Sequence, residues 1–184
     1  LPTPTKEGYS FSKWIDLDTN NEIKSIVKGT VGDKKIKALW VANSYKINYT
    51  LNKKDAVLPD SADNNRTFGK DITLATPSKQ GYVFDGWYDN ADLTGSAYTS
   101  DRLKNLASDV TLYAKWSPAQ YKITYDLGLG STYATMPAYS DTYTVDSPVV
   151  LPIPVWTGHT FKSWDLNGTN ITTTAGLLGD VTVK

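Results

Sequence analysis

The sequence predicts small, β-rich α+β modules repeated in tandem. The first observation behind this is a recurrence. Gly81-Tyr82-Val83-Phe84-Asp85-Gly86-Trp87-Tyr88, with Asp109-Val110-Thr111-Leu112-Tyr113-Ala114-Lys115-Trp116 after it, has an upstream echo in Gly8-Tyr9-Ser10-Phe11-Ser12-Lys13-Trp14 and Ile36-Lys37-Ala38-Leu39-Trp40. A downstream echo runs Gly158-His159-Thr160-Phe161-Lys162-Ser163-Trp164 and Asp180-Val181-Thr182-Val183-Lys184. The leading glycines stand 73 and 77 residues apart, and such a period marks a tandem array. The second observation is alternation: Tyr45, Ile47, Tyr49 and Leu51 fall on one face of a strand. The third is aromatic richness, with six Trp and twelve Tyr in 184 residues. Units of about 75 residues lie near the lower limit of a self-sufficient core, and large rings supply the missing buried area.

Residues 1–41 read as the C-terminal half of a repeat. Leu1 to Asp16 align with Leu74 to Asp89, with Pro4 on Pro77 and Trp14 on Trp87. Asp16 to Glu22 is a polar turn cluster, Glu22 to Lys28 a short helix or strand, and Lys34 to Val41 a half-buried strand. The front half of this copy is not in the sequence, so the ends are expected to be cut from something longer. Two strands without partners are marginal alone, so this half repeat should dock on the next unit or pair with another chain.

Residues 42–117 form one complete repeat. Strands are expected at Tyr45–Leu51, more weakly within Arg66–Leu74, at Tyr82–Tyr88 and at Val110–Trp116. Pro77 and Gly81 break the chain before the third. Ser100 to Leu106 fits one or two helical turns with Ser100 as N-cap. Residues 118–184 form a near-complete repeat, beginning with a strand at Tyr121–Leu127. Its segment between Trp164 and Asp180 has 15 residues against 21 in the second copy, and no helical pattern. Linkers of about four residues make successive units close neighbours in a semi-rigid array.

Bulk properties narrow the function classes. Nineteen basic and nineteen acidic residues balance to zero, which argues against a nucleic-acid or anionic-membrane footprint. No apolar run approaches the ~18 residues of a membrane span. Zero Cys and a single His leave no zinc set and no Cys–His pair. No nucleophile elbow or phosphate-binding glycine loop is present. Asp16, Asp18 and Asn20 match the start of a calcium loop, but Asn21 and Val27 stand where Gly and Glu are required. The sequence therefore points to no cofactor, no metal and no catalytic residue.

The motifs quoted above, in the order Tyr-x-Ile-x-Tyr, Gly-Tyr-x-Phe-x-Gly-Trp-Tyr and Val-Thr-Leu-Tyr-Ala-Lys-Trp, resemble the Listeria–Bacteroides repeat, the B-repeat type of internalin B and other bacterial surface proteins. The resemblance covers the whole chain as two and a half copies. It implies a small β-grasp-like domain, a mixed sheet of about four strands crossed by a short helix or loop. It also implies an extracellular bacterial protein, secreted or attached to the cell wall, whose repeats act as non-catalytic spacers or adhesive modules. The partners implied are neighbouring repeats and a host protein or glycan. Three positions depart from the pattern: Lys13 and Ser163 replace Gly86, His159 replaces Tyr82, and Trp156 stands where Lys6 and Lys79 stand.

The candidate ligand residues are Trp156, Trp87 and Trp164. Trp14, Trp87 and Trp164 each follow a Phe by three positions, which alternation would place on opposite faces unless a bulge intervenes. An indole on a face can carry a sugar ring; its recurrence in every copy favours packing instead. Trp156 has no aromatic counterpart and lies in a loop with Pro152 and Pro154. Its indole either stacks on a saccharide or partner, or packs against its surroundings. A carbohydrate-binding module of a larger secreted enzyme is the alternative function.

Overall fold

The computed structural model describes residues 1–184. Strands β1 (Tyr9–Asp16) and β2 (Ile36–Ala42) pair antiparallel. Their register shifts between Phe11 and Lys13, so a bulge turns Phe11 and Trp14 to the same side, with ring centroids 5.5 Å apart. The bulge forms although Lys13 occupies the position of Gly86. The expected element over Glu22–Lys28 is instead turn and extended chain, anchored by an isolated bridge between Ile15 and Glu22.

The second copy holds β3 (Ser44–Thr50), β4 (Asn65–Thr67), β5 (Tyr82–Tyr88), the helix α1 (Ser100–Lys104) and β6 (Val110–Pro118). They form a four-stranded sheet in the order β4-β3-β6-β5. β3 runs antiparallel to β4 and parallel to β6; the parallel pair requires a long crossover, and β4, β5 and α1 lie within it. The N-cap of α1 is Thr99, in extended geometry with no side-chain cap bond, so Ser100 starts the helix rather than capping it. The third copy holds β7 (Tyr121–Tyr125), β8 (Thr142–Tyr143), β9 (Trp164–Leu166), β10 (Thr169–Ile171) and β11 (Val181–Val183). Its sheet runs β11-β7-β8, with β7 and β11 parallel, and β9 pairs antiparallel with β10. A 3-10 turn occupies Gly128–Thr132.

The architecture is β-rich with mixed sheets and a single five-residue helix. The chain divides into two compact units, residues 1–77 with 86–115, and residues 78–85 with 116–184. The first unit buries Ile47, Trp87, Leu103, Leu112 and Ala114; the second is centred on Ile123, Tyr143, Leu151, Trp164 and Val183.

Candidate functional site

The recurring tryptophans are held by one repeated device. The indole Nε1–H of Trp14 donates to the Pro2 carbonyl at 2.9 Å, that of Trp87 to Ala75 at 2.7 Å, and that of Trp164 to Pro152 at 2.6 Å. In each copy the acceptor lies twelve residues upstream. Each bond satisfies the single polar group of a large ring, which lets the ring be buried without leaving a donor unpaired. Trp87 and Trp164 are each 2% exposed. Most of the area of both rings is spent on the core; Trp164 also lines the cleft beside Trp156. Trp40 and Trp116 are half-buried and meet Phe11 and Phe84 edge-on.

A second repeated device follows the leading glycines. In the first unit the Gly8 carbonyl accepts the Asn43 N–H at 2.9 Å, and the Tyr9 ring meets Phe68 at 5.3 Å. In the second unit the Gly81 carbonyl accepts the Ala119 N–H at 2.9 Å, and the Tyr82 hydroxyl donates to Asp146 at 2.5 Å. Gly8 and Gly81 have φ of +75° and +80°, and a Cβ would fall 2.4 Å from Phe68 and 2.6 Å from Val145. Only glycine meets both demands. The half repeat 1–41 thus packs, through Gly8 and Tyr9, on Asn43 and Phe68 of the copy that follows it. Gly158 has the same φ, +77°, but no neighbour within 4 Å.

Trp156 is half-buried in a cleft of about 240 Å³ that Asp126, Leu127, His159, Phe161 and Trp164 also line. Its indole stacks on His159 at 3.8 Å between centroids, and parallel to Tyr133 at 5.8 Å. Buried Gly130 lies under the ring, and a Cβ there would make ordinary van der Waals contact with it at 3.5 Å. In the other copies a lysine amine lies over the tyrosine instead, Lys6 over Tyr9 at 4.1 Å and Lys79 over Tyr82 at 5.8 Å. The two departures at Trp156 and His159 are therefore a single contact, a ring stack in place of a cation–π pair. Tyr133, exposed and beside Trp156, carries no sequence signal, because its counterpart region in the second copy, around Val57, is a polar loop with no aromatic residue to mark the position.

Asp16 organises a turn. Its Oδ1 accepts the Asp18 N–H at 2.9 Å and its Oδ2 pairs with Lys34 at 3.3 Å. The Asp18 amide and then Lys34 hold its carboxyl below the usual carboxylate range, against the opposing effect of burial. No group of three or more His, Cys, Asp or Glu side chains is placed to hold a metal ion.

These features define β-rich modules repeated in tandem, with the same glycine contact found within each of the two units. The chain belongs to the Listeria-Bacteroides repeat domain family, which matches residues 1–38, 45–115 and 121–183. It is similar to internalin H of Listeria monocytogenes, 34% identical over 116 residues, covering 62% of this chain and 20% of that protein. It is also similar to two Evansella cellulosilytica proteins, each 30% identical: one named as a membrane protein, covering 89% of this chain and 24% of that protein, and one named as a Gly-rich membrane protein, covering 88% and 18%. The chain thus spans a quarter or less of the length of these relatives. No solved structure matches. The family occurs in surface proteins such as internalins, and no helix of this chain is long and apolar enough to cross a membrane.

Proposed function

We propose that this chain is a non-catalytic, extracellular repeat region of a bacterial surface protein, secreted or wall-attached, which sets the distance between a functional domain and its anchor. The observation that carries this reading is the joint built twice from the same parts, a left-handed glycine, its carbonyl bond and the tyrosine after it. A joint with fixed chemistry makes each added copy a repeatable increment of length. The modules are β-grasp-like in this reading, because a parallel pair of first and last strands is crossed by the segment that carries α1. Small-angle scattering on proteins carrying one, two, three and four copies of residues 42–117 tests it. The expected maximum dimension rises by a constant step per copy; growth no steeper than that of a compact globule overturns the reading.

A glycan-binding accessory module is the second reading, favoured by the aromatic cleft at Trp156 with Asp126 and Lys162 at its rim. Tryptophan fluorescence titrated with a polysaccharide panel separates the two. A saturable shift lost in Trp156→Ala supports glycan binding, and silence across the panel leaves the spacer, with host proteins as the partners to search.

A further inference from the structure

An apolar row on the third copy stands where the other two copies are polar. Thr135 and Val155 exchange backbone bonds of 2.8 and 2.9 Å in an isolated antiparallel bridge. Residues opposite each other, and residues two apart along each segment, share a face of such a pair. Ile153 and Val155 on one segment therefore line up with Tyr133, Thr135 and Pro137 on the other. All five are exposed, Ile153 at 67%, Val155 at 62% and Tyr133 at 67%. In the second copy Thr76 and Ser78 occupy the positions of Ile153 and Val155, and in the first Thr3 and Thr5 do. Those four residues are exposed too, so exposure here is a property of the module, and what changes in the third copy is the chemistry. Pro152 and Pro154 withhold two amides from the segment that carries Ile153 and Val155, so a partner meets the row through side chains and not as an added strand. None of the five residues lines the cleft beside Trp156.

We propose that this row is a self-association face, on which the third copies of two chains pack as a two-fold pair centred on Val155. A two-fold interface uses the same patch on both subunits, so the patch must tolerate itself. Neither stretch that supplies the row, 127–140 or 147–157, holds an Asp, Glu, Lys, Arg, Asn or Gln. Two copies therefore meet without like-charge repulsion, while a phosphate or a sugar finds no charged or amide anchor. At these exposures the row leaves about 500 Å² of largely apolar surface open, near the upper end for a monomer. Two such faces together cover about 1,000 Å², the size at which a specific, weak interface begins.

Sedimentation velocity of the 184-residue chain, from about 10 μM to about 1 mM, tests it. The expected result is a reversible monomer–dimer equilibrium within that range, with concentration-dependent amide shifts confined to Tyr133–Pro137, Ile153–Val155 and their surroundings. The double variant Ile153→Thr with Val155→Ser installs the residues of the second copy. It is expected to weaken the dimer at least about tenfold and to leave the thermal melt of the dilute chain unchanged, since both side chains are exposed. A chain that stays monomeric at millimolar concentration overturns the proposal, and so does a dimer that the double variant leaves intact. Saturable shifts of the same amides by a neutral oligosaccharide, without self-association, overturn it in favour of a glycan face. The spacer reading is judged separately, by the length series.

Discussion

The second and third copies carry one frame with different chemistry at matching positions. In the second, buried Arg66 on β4 donates to the carbonyls of Leu103, Leu106 and Ser108 at 2.5–2.8 Å, with its guanidinium 5.0 Å from the Tyr45 ring. In the third, Tyr143 on β8 takes that place. Its hydroxyl donates to the Gly179 carbonyl at 2.7 Å, and its ring meets Tyr121, the counterpart of Tyr45, at 5.5 Å. Lys79 over Tyr82 is likewise replaced by Trp156 on His159. The difference teaches what the guanidinium is for. α1 ends at Lys104, and the carbonyls of Leu103 at its end and of Leu106 and Ser108 in the loop after it need donors, which the guanidinium fork supplies. The third copy has a shorter segment and no helix there, so one hydroxyl suffices.

Substitutions sharpen this comparison. The largest effect is expected at the shared indoles. Trp87→Ala and Trp164→Ala each cost about 3–5 kcal/mol, while Trp156→Ala, whose ring is only half-buried, costs about 1 kcal/mol. Urea unfolding followed by far-UV circular dichroism measures all three. Next comes the arginine: Arg66→Met removes the donors to three carbonyls, of which only that of Leu103 keeps another, the Leu106 N–H at 3.2 Å, and costs about 3 kcal/mol, against about 1 kcal/mol for Tyr143→Phe. Equal losses in the two copies would break the link between Arg66 and the helix.

The leading glycines form a three-way control. Gly8→Ala and Gly81→Ala meet both backbone strain and a clash, so each costs about 2–3 kcal/mol; Gly158→Ala meets strain alone and costs about 1 kcal/mol. Thermal melts of the three variants read the difference. In the third copy, Trp156→Lys with His159→Tyr restores the chemistry of the second. Its effect on stability is expected to be smaller than the sum of the single changes by about 0.5–1 kcal/mol, the size of an exposed cation–π pair.

The smallest effect is one of pH and belongs to the first copy. The lowered carboxyl of Asp16 contributes stability that is present above the ordinary carboxylate value of about 4 and is lost as pH falls through its lower native value. Hydrogen exchange at Asp18 and Asn20 should therefore accelerate below about pH 4, and Asp16→Asn should remove that acid dependence.

The frame was legible because its signals are periodic: the Gly-to-Trp motif, the alternation at Tyr45–Leu51 and the matching strand at Tyr121. The expected weaker strand within Arg66–Leu74 shrinks to β4, whose three residues end at Thr67 just before Gly69, since a short edge strand carries little periodicity. The joints were hidden because their receiving residues, Phe68 and Val145, share apolar character rather than identity. The indole-to-carbonyl bonds were hidden because any residue supplies a carbonyl. Trp156 and His159 stood out singly, but their contact depends on loop geometry that no spacing encodes. In the first copy the bulge turns Phe11 and Trp14 to one side, and its position at Ser12 is marked by no glycine.

The parallel pairing of first and last strands bears on behaviour under load. β3 opens the second copy and β6 closes it, and their rungs run from Ile47–Val110 to Thr50–Tyr113. Tension drawn through the polypeptide pulls these neighbours past each other along their length, loading their cross-links together instead of peeling them one at a time. β7 and β11 repeat the arrangement over the shorter stretch Ile123–Val181 to Tyr125–Val183. On the spacer reading proposed above, such modules yield under load in discrete steps, with the second copy's clasp the stronger.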